Sequence, residues 1–395
     1  MLLELLIVLL IGILAGIITG LLPGIHINLV GTILISLSIS IFSSVLPIYL
    51  IVFVGSMSIT HIFIDFIPSI FLGCPTEGTE MSILPGHELL KQGKGYEAVM
   101  LTAYGGVIAI FLLIITSVPL ILAIPNFYNL IQNIIPYLLI IILILMIFSE
   151  KKKFSAIIVI FLTGILGYCV LNLNMKEPLL PLLTGLFGSS SLLLSIKTKT
   201  KIPKQKISKK IKVKILKPLL GTLIASPFCG FLPGLGSSQA AIVGNTIFKT
   251  DRKGFLTLLG ATNVLVMAFS FISLYTIHKE RTGTAAAIDT LMGNFNLKIL
   301  ILIIVVTILS GIIAFFLTSF ISKKFIRVFE RINYSKISIS ALIFISIIVL
   351  IFSGVLGFLI FIISTFTGIY CIRTNVKRTN MMACLLIPTI ILYLL

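Results

Sequence analysis

The sequence predicts an all-α polytopic membrane protein, with about twelve transmembrane helices in two inverted repeats that contain broken or re-entrant helices. Three observations carry this expectation. Of the 395 residues, 58% are hydrophobic and only 11% charged, with a mean hydropathy of +1.21, far outside soluble composition. Apolar runs near the about 20 residues that cross a bilayer recur along the whole chain. One short phrase, Gly-x-x-Pro-Gly, interrupts an apolar run in each half, as Gly20–Gly24 and as Gly230–Gly234.

In order, apolar segments are read at 2–22, 28–46, 48–66, 98–124, 130–148, 154–173, 178–196, 218–248, 255–277, 297–321, 337–371 and 381–395. The first has no Lys or Arg before it and runs straight into Pro23-Gly24, so it reads as a first helix and not as a cleaved signal. The segment 218–248 is broken at Pro233-Gly234, and 337–371 is long enough for a hairpin. Proline lacks a donor and glycine weakens a helix, so each break frees backbone groups at membrane depth. Such groups are tolerated only where protein or a water-filled cavity satisfies them. Between Phe66 and Gly95 the chain is too rich in Pro and Gly for a helix, and it carries Glu77 and Glu80. A re-entrant segment over 68–84 is favoured there over a cytoplasmic loop. Upstream, His61 and Asp65 share a helix face, which suits a proton relay or cation site as well as it suits a histidine satisfied by its neighbour.

The formal net charge of +18 is sorted by loop. Lys91, Lys94, Lys151–Lys153, the Lys197–Lys217 stretch, Lys249/Arg252/Lys253, Lys323–Lys336 and Arg373–Arg378 hold 26 of the 30 basic residues. Lys176, Lys279, Arg281 and Lys298 are the others. The positive-inside rule places the first set in the cytoplasm and the second outside, with both termini outside. The two Pro-Gly breaks are then reached from opposite sides, which makes the halves inverted copies. Their bounds are 1–196 and 218–395, joined by a lysine-rich cytoplasmic linker over 197–217. No aromatic interleaving accompanies the lysines, so nucleic acid is not an expected partner.

Enzymatic readings have little support. His87-Glu88-Leu-Leu-Lys91 is half of a zinc-protease helix, with lysine in place of the second ligand. Gly93-Lys-Gly95-Tyr-Glu-Ala98 imitates a dinucleotide fingerprint without its βαβ context. The five cysteines have no paired spacing, and Asp65 and Asp289 lack the setting of an intramembrane aspartyl pair. No catalytic residue, metal or cofactor is expected beyond a coupling H⁺ or Na⁺.

The paired breaks, the Gly/Pro-rich loop after the first, and the Gly93–Ala98 phrase resemble the membrane permease subunit of tripartite tricarboxylate transporters. Leu232-Pro-Gly-Leu-Gly-Ser-Ser-Gln-Ala240 is most similar to the archaeal branch of that family. The resemblance implies a prokaryotic cell membrane. It also implies secondary transport of a carboxylate, with a separate substrate-binding protein and a small membrane subunit as partners. Where such members carry fewer acids, this chain has Glu77 and Glu80, which repel an anion unless protonated or paired with a cation.

Physical reading of the breaks gives a candidate site beside that resemblance. A helix that restarts after Gly24 or Gly234 presents free N–H groups and the positive end of its dipole, which suits a carboxylate or phosphate. The expected substrate-binding residues are Gly20, Pro23, Gly24, His26 and Asn28 at the first break, and Gly230, Pro233, Gly234, Gly236, Ser237, Ser238 and Gln239 at the second. Asn245 and Asn263 could add hydrogen bonds. Asp65, Glu77 and Glu80 are the candidates for ion coupling. No arginine falls in the predicted core, so backbone dipoles would hold the anion. The bland alternative makes each break an ordinary kink with small residues for packing. The function expected is alternating-access transport of a small organic anion. A lipid-phosphate flippase is the main alternative, and a channel or structural membrane protein the lesser one.

Overall fold

The computed structural model describes residues 2–22, 45–73, 78–131, 134–175, 177–197, 203–208, 211–231, 236–293, 295–329 and 334–394. All regular structure among the described residues is helical. The first run forms α1 (Leu2–Leu21), and α2 (Pro47–Ile64) begins with a proline where no intrahelical donor is needed. After Asp65, α3 (Phe66–Leu72) extends the same apolar span and ends on Gly73 at φ 68°. A 3₁₀ turn over Glu80–Ser82 leads into α4 (Ile83–Lys91). The expectation of a non-helical stretch from Phe66 is therefore corrected on both sides. Pro68 and Pro85 fall in the first turn of α3 and α4, where the N–H groups have no intrahelical partner, so neither proline breaks its helix.

The first half continues through α5 (Gly95–Ile131), α6 (Ile135–Phe148) and α7 (Lys153–Leu171). It ends in α8 (Leu179–Leu183), a π-helical turn over Thr184–Ser189, and α9 (Ser190–Lys197). The second half opens with α10 (Leu216–Phe231) and α11 (Ser237–Phe248), on either side of the second Pro-Gly break. Then come α12 (Arg252–Ile277), α13 (Gly283–Met292), α14 (Leu297–Phe329) and α15 (Tyr334–Thr374). A 3₁₀ turn over Arg378–Met382 precedes α16 (Ala383–Leu394). α15 leaves helical geometry at Gly354 (φ 67°, ψ −167°), which divides it into arms 334–353 and 355–374. Among the described residues, seven helices are long and apolar enough to cross a membrane. Three shorter apolar helices, Pro136–Phe148, Leu179–Leu194 and Arg378–Leu394, accompany them. The predicted run 28–46 lies outside the described residues except for 45 and 46.

Two helices form the buried centre, α2 and α12, whose side chains are almost all enclosed. Around them α5, α7 and α15 turn large apolar groups outward, such as Ile115 at 70% and Phe154 at 77% exposure. A continuous apolar exterior of this kind is matched by lipid. Lipid gives no hydrophobic drive for helix association, so close packing has to supply it. Small residues permit that approach. A Cβ on Gly260 of α12 would lie 2.0 Å from the Thr102 carbonyl oxygen of α5, and one on Gly105 would lie 2.0 Å from that of Thr257. Gly12, Gly16 and Gly20, each a helical turn apart, admit α2 in the same way.

Elements of the two halves interlock. α12 lies along α5, and α14 lies along α2; α15 packs on the 179–197 segment, and α16 packs on α7. Gly167 of α7 abuts the Cys384 carbonyl, and Gly368 of α15 abuts that of Leu186. The basic loops are tied to one another. Gln205, in the lysine-rich linker, accepts from the Gly95 N–H at 2.8 Å and donates to the Leu90 carbonyl at 3.1 Å. Arg252 pairs with Glu88 at 2.6 Å, Lys253 pairs with Glu97, and Lys377 donates to the Ser149 carbonyl at 3.0 Å.

Candidate functional site

A row of polar groups runs along one face of α2 and α3, set by helical spacing. His61 Nδ1 lies 3.1 Å from the Thr19 hydroxyl, and its Nε2 lies 3.9 Å from Oδ2 of Asp65. Ser69, one turn further, donates to Oδ1 of Asp65 at 3.4 Å and is 2.7 Å from the Thr79 hydroxyl. The spacing of His61 and Asp65 thus brings them together as the sequence suggested, and all of these side chains except Thr19 are buried. Their burial reflects the enclosed position of α2 and α3 between α1, α5 and α14.

At the end of this row the first half meets the second. Gly78, at φ 93°, gives the chain a turn that L side chains rarely adopt, and its N–H donates to Oε2 of Glu80 at 2.9 Å. The same Oε2 accepts from the Ser238 hydroxyl at 2.5 Å, so a carboxylate from the first half sits on the opening turn of α11. The positive end of a helix dipole favours this placement. Beside it, Ser237 donates to Oδ1 of Asn263 at 2.8 Å, and both groups press on the bare Cα of Gly78. Gln239 accepts from the Gly236 N–H at 2.9 Å, which closes the helix start. Its buried Nε2 has no hydrogen-bond partner among the described residues. Glu80, Ser237, Ser238, Gln239 and Asn263 are all under 9% exposed, so the cluster is a desolvated junction.

The predicted residues divide into those brought together and those elsewhere. Ser237, Ser238, Gln239, Glu80 and Asn263 converge. Gly236 opens α11 beside them, and Asp65 joins them through Ser69 and Thr79. Gly20 packs against Ile64, and Gly230 packs against Phe269 while its carbonyl accepts from Ser273 at 2.9 Å. Asn245 turns away to accept from Thr250. Pro23, Gly24, His26, Asn28, Glu77, Pro233 and Gly234 lie outside the described residues. Ser69, Thr79 and Gly78 were not singled out from the sequence. The i, i+4 step from Asp65 to Ser69 was the available signal for the first of them.

The expectation of a core free of arginine is corrected. Arg281, assigned to an outer loop, has Nε and Nη2 buried, because the chain after α12 turns back into the bundle. Glu88 pairs with Arg252, and among the described residues no three His, Cys, Asp or Glu gather in one group. The described cysteines, Cys169, Cys229, Cys371 and Cys384, are free thiols.

A helical body with a lipid-matched exterior and a buried polar junction defines a multi-pass membrane protein. The chain belongs to the tripartite tricarboxylate transporter TctA family, whose sequence profile matches residues 6–383. That family comprises membrane permeases, which work with a substrate-binding protein and a small subunit. A protein of Methanocaldococcus jannaschii, described as the uncharacterized protein MJ1079, is 32% identical over 354 residues, covering 87% of this chain and 88% of its own length. No solved structure matches the chain significantly.

Proposed function

We propose that this protein is a secondary carrier for a small carboxylate, and that Glu80 couples transport to H⁺ or Na⁺ at the start of α11. The observation that carries the reading is the Glu80–Ser238 contact. Glu80 occupies the helix end that would otherwise receive a substrate carboxylate, and two carboxylates cannot share it while both are charged. Protonation of Glu80, or a cation on it, releases the helix start and the Gln239 amide for the substrate. The row Thr19–His61–Asp65–Ser69–Thr79 offers a path by which a proton would reach Glu80.

Alternating access is supported by the exchange of partners between halves. α12 on α5 answers to α14 on α2, and the Gly167–Cys384 approach answers to Gly368–Leu186. In two inverted repeats, exchanging the conformations of the halves would expose one site to either side. By the positive-inside rule, the joined basic loops mark the cytoplasmic end. A separate substrate-binding protein and a small subunit are the partners that family membership supports, and the cell membrane of a prokaryote is the location.

A second reading, a lipid-phosphate flippase, draws on a crevice of about 690 Å³ between α6, α10 and α11, apolar except for Ser149, Asn245, Thr246, Lys249, Lys377 and Thr379. One experiment separates the two. Thermal stability of the purified protein is measured against di- and tricarboxylates and polyprenyl phosphate, with and without Na⁺ and at two pH values. A ligand at about 100 times its Kd should add about 2.7 kcal/mol. Cation-dependent stabilisation by a carboxylate is the outcome expected of the carrier; stabilisation by the lipid phosphate alone would replace it with the flippase.

A further inference from the structure

Beyond the last turn of α12 the chain reverses at His278, which adopts a left-handed conformation (φ 51°), and descends beside the helix it has just left. The Thr282 hydroxyl lies 2.9 Å from that of Ser270, seven residues before the end of α12, and Thr284 lies 2.9 Å from Ser58 of α2. At a rise of about 1.5 Å per residue, this carries the segment about 10 Å back along the helix. Arg281 is drawn inward with it. Its guanidinium carbon lies 5.6 Å from the centre of the Tyr128 ring, and the Tyr393 hydroxyl adjoins it.

Nε and Nη2 of Arg281 are buried and have no hydrogen-bond partner among the described residues. These two nitrogens direct parallel N–H bonds from one edge of the guanidinium plane, the side-on fork that matches the two oxygens of a carboxylate. Leaving such donors buried and unpaired is costly, so a ligand whose oxygens pair them would be stabilised there. The neighbouring acid does not supply one. Glu280 is directed to Asp289; partial burial, and then that neighbouring carboxyl group, raise its carboxyl from its ordinary value. The Tyr128 ring holds the guanidinium in plane by cation–π contact, and the capped start of α13, where Thr282 accepts from the Ala285 N–H, adds the positive end of a helix dipole.

We infer that Arg281, backed by Tyr128 and Tyr393, is a receptor for one carboxylate of a small di- or tricarboxylate at the end of the bundle opposite the basic loops. The inference rests on the carrier reading and adds to it a site that precedes the Glu80–Ser238 junction on the path of the substrate. Only an arginine meets the geometric requirement, because lysine keeps the charge and loses the fork.

The test is titration calorimetry of citrate and succinate into the full-length purified protein, for the native chain, Arg281→Lys and Arg281→Met, with the ligand-free Tm of each. The native chain is expected to bind one of the acids, Arg281→Lys to bind at least tenfold more weakly with its ligand-free Tm unchanged, and Arg281→Met not to bind. Because two buried donors without a partner among the described residues are removed, the ligand-free Tm of Arg281→Met should equal or exceed the native value, whereas an arginine with a purely structural role would lower it. Native-like Kd values in both variants would overturn the inference and leave the carrier reading standing. Absence of binding by the native chain would overturn both.

Discussion

The Ser238 hydroxyl donates to Oε2 of Glu80 at 2.5 Å, across 158 positions of sequence, and it joins the irregular segment of one half to the restarted helix of the other. A hydrogen bond to a charged group contributes more than one between neutral groups, on the order of 2 kcal/mol. Ser238→Ala should therefore lower stability by about that amount, measured by thermal unfolding in detergent.

Glu80→Gln separates charge from shape. The amide keeps an acceptor for Ser238 and the Gly78 N–H but cannot carry the coupling ion. Facilitated exchange of carboxylate across proteoliposomes should persist in this variant while uptake stops responding to an imposed H⁺ or Na⁺ gradient. Retained gradient-driven accumulation would remove Glu80 from the coupling role.

Gly78 is required twice, by its φ of 93° and by the Ser237 and Asn263 oxygens that a Cβ would meet at 2.6 and 2.7 Å. Gly78→Ala should strain the turn by about 1–3 kcal/mol and separate Ser237 from Asn263. The expected result is a protein that still inserts, with lowered Tm and at least tenfold slower transport; native rates would detach this turn from the site.

The all-helical, membrane-spanning character was legible because hydropathy reports directly on bilayer thickness. The second break was equally visible, since Ser237, Ser238 and Gln239 follow a proline-glycine pair that a continuous helix would not carry. What the sequence obscured depended on chain reversals and long-range docking. Pro68 and Pro85 look like helix breakers until their first-turn positions are known. Arg281 looks like a loop residue because nothing in its neighbours announces that Thr282 will reach back to Ser270. The meeting of Glu80 with Ser238 is a contact between halves, and local patterning holds no information about it.

Close helix approach makes a separate prediction. A side chain at Gly260 would drive into the Thr102 backbone, which cannot yield without moving α5. Gly260→Leu should prevent α12 from seating and lower the yield of folded, monodisperse protein by an order of magnitude or more. Gly293→Ala is the control, since a Cβ there meets nothing within 4 Å, and its φ of 62° confines the effect to local strain.

His87 sets a pH dependence of stability. It lies on α4, outside the spanning helices, partly buried, with its Nε2 enclosed and its ring edge against Gly73. Burial first, and then the positive charges of Arg378 and Lys91, push its imidazole from 6.5 down to about 3. In the unfolded chain the ring takes up a proton below about 6.5, while in the folded protein it stays neutral. Unfolding then binds a proton, and stability rises with pH. The contribution is fully present above the unfolded value and is lost as pH falls from there toward the folded one. Between pH 7 and pH 5 the loss should be on the order of 2 kcal/mol. His87→Gln removes the titration, so the difference in unfolding free energy between native and variant protein should shrink by that amount over the same interval. A difference that stays constant from pH 7 to pH 5 would mean that the imidazole is protonated in the folded state.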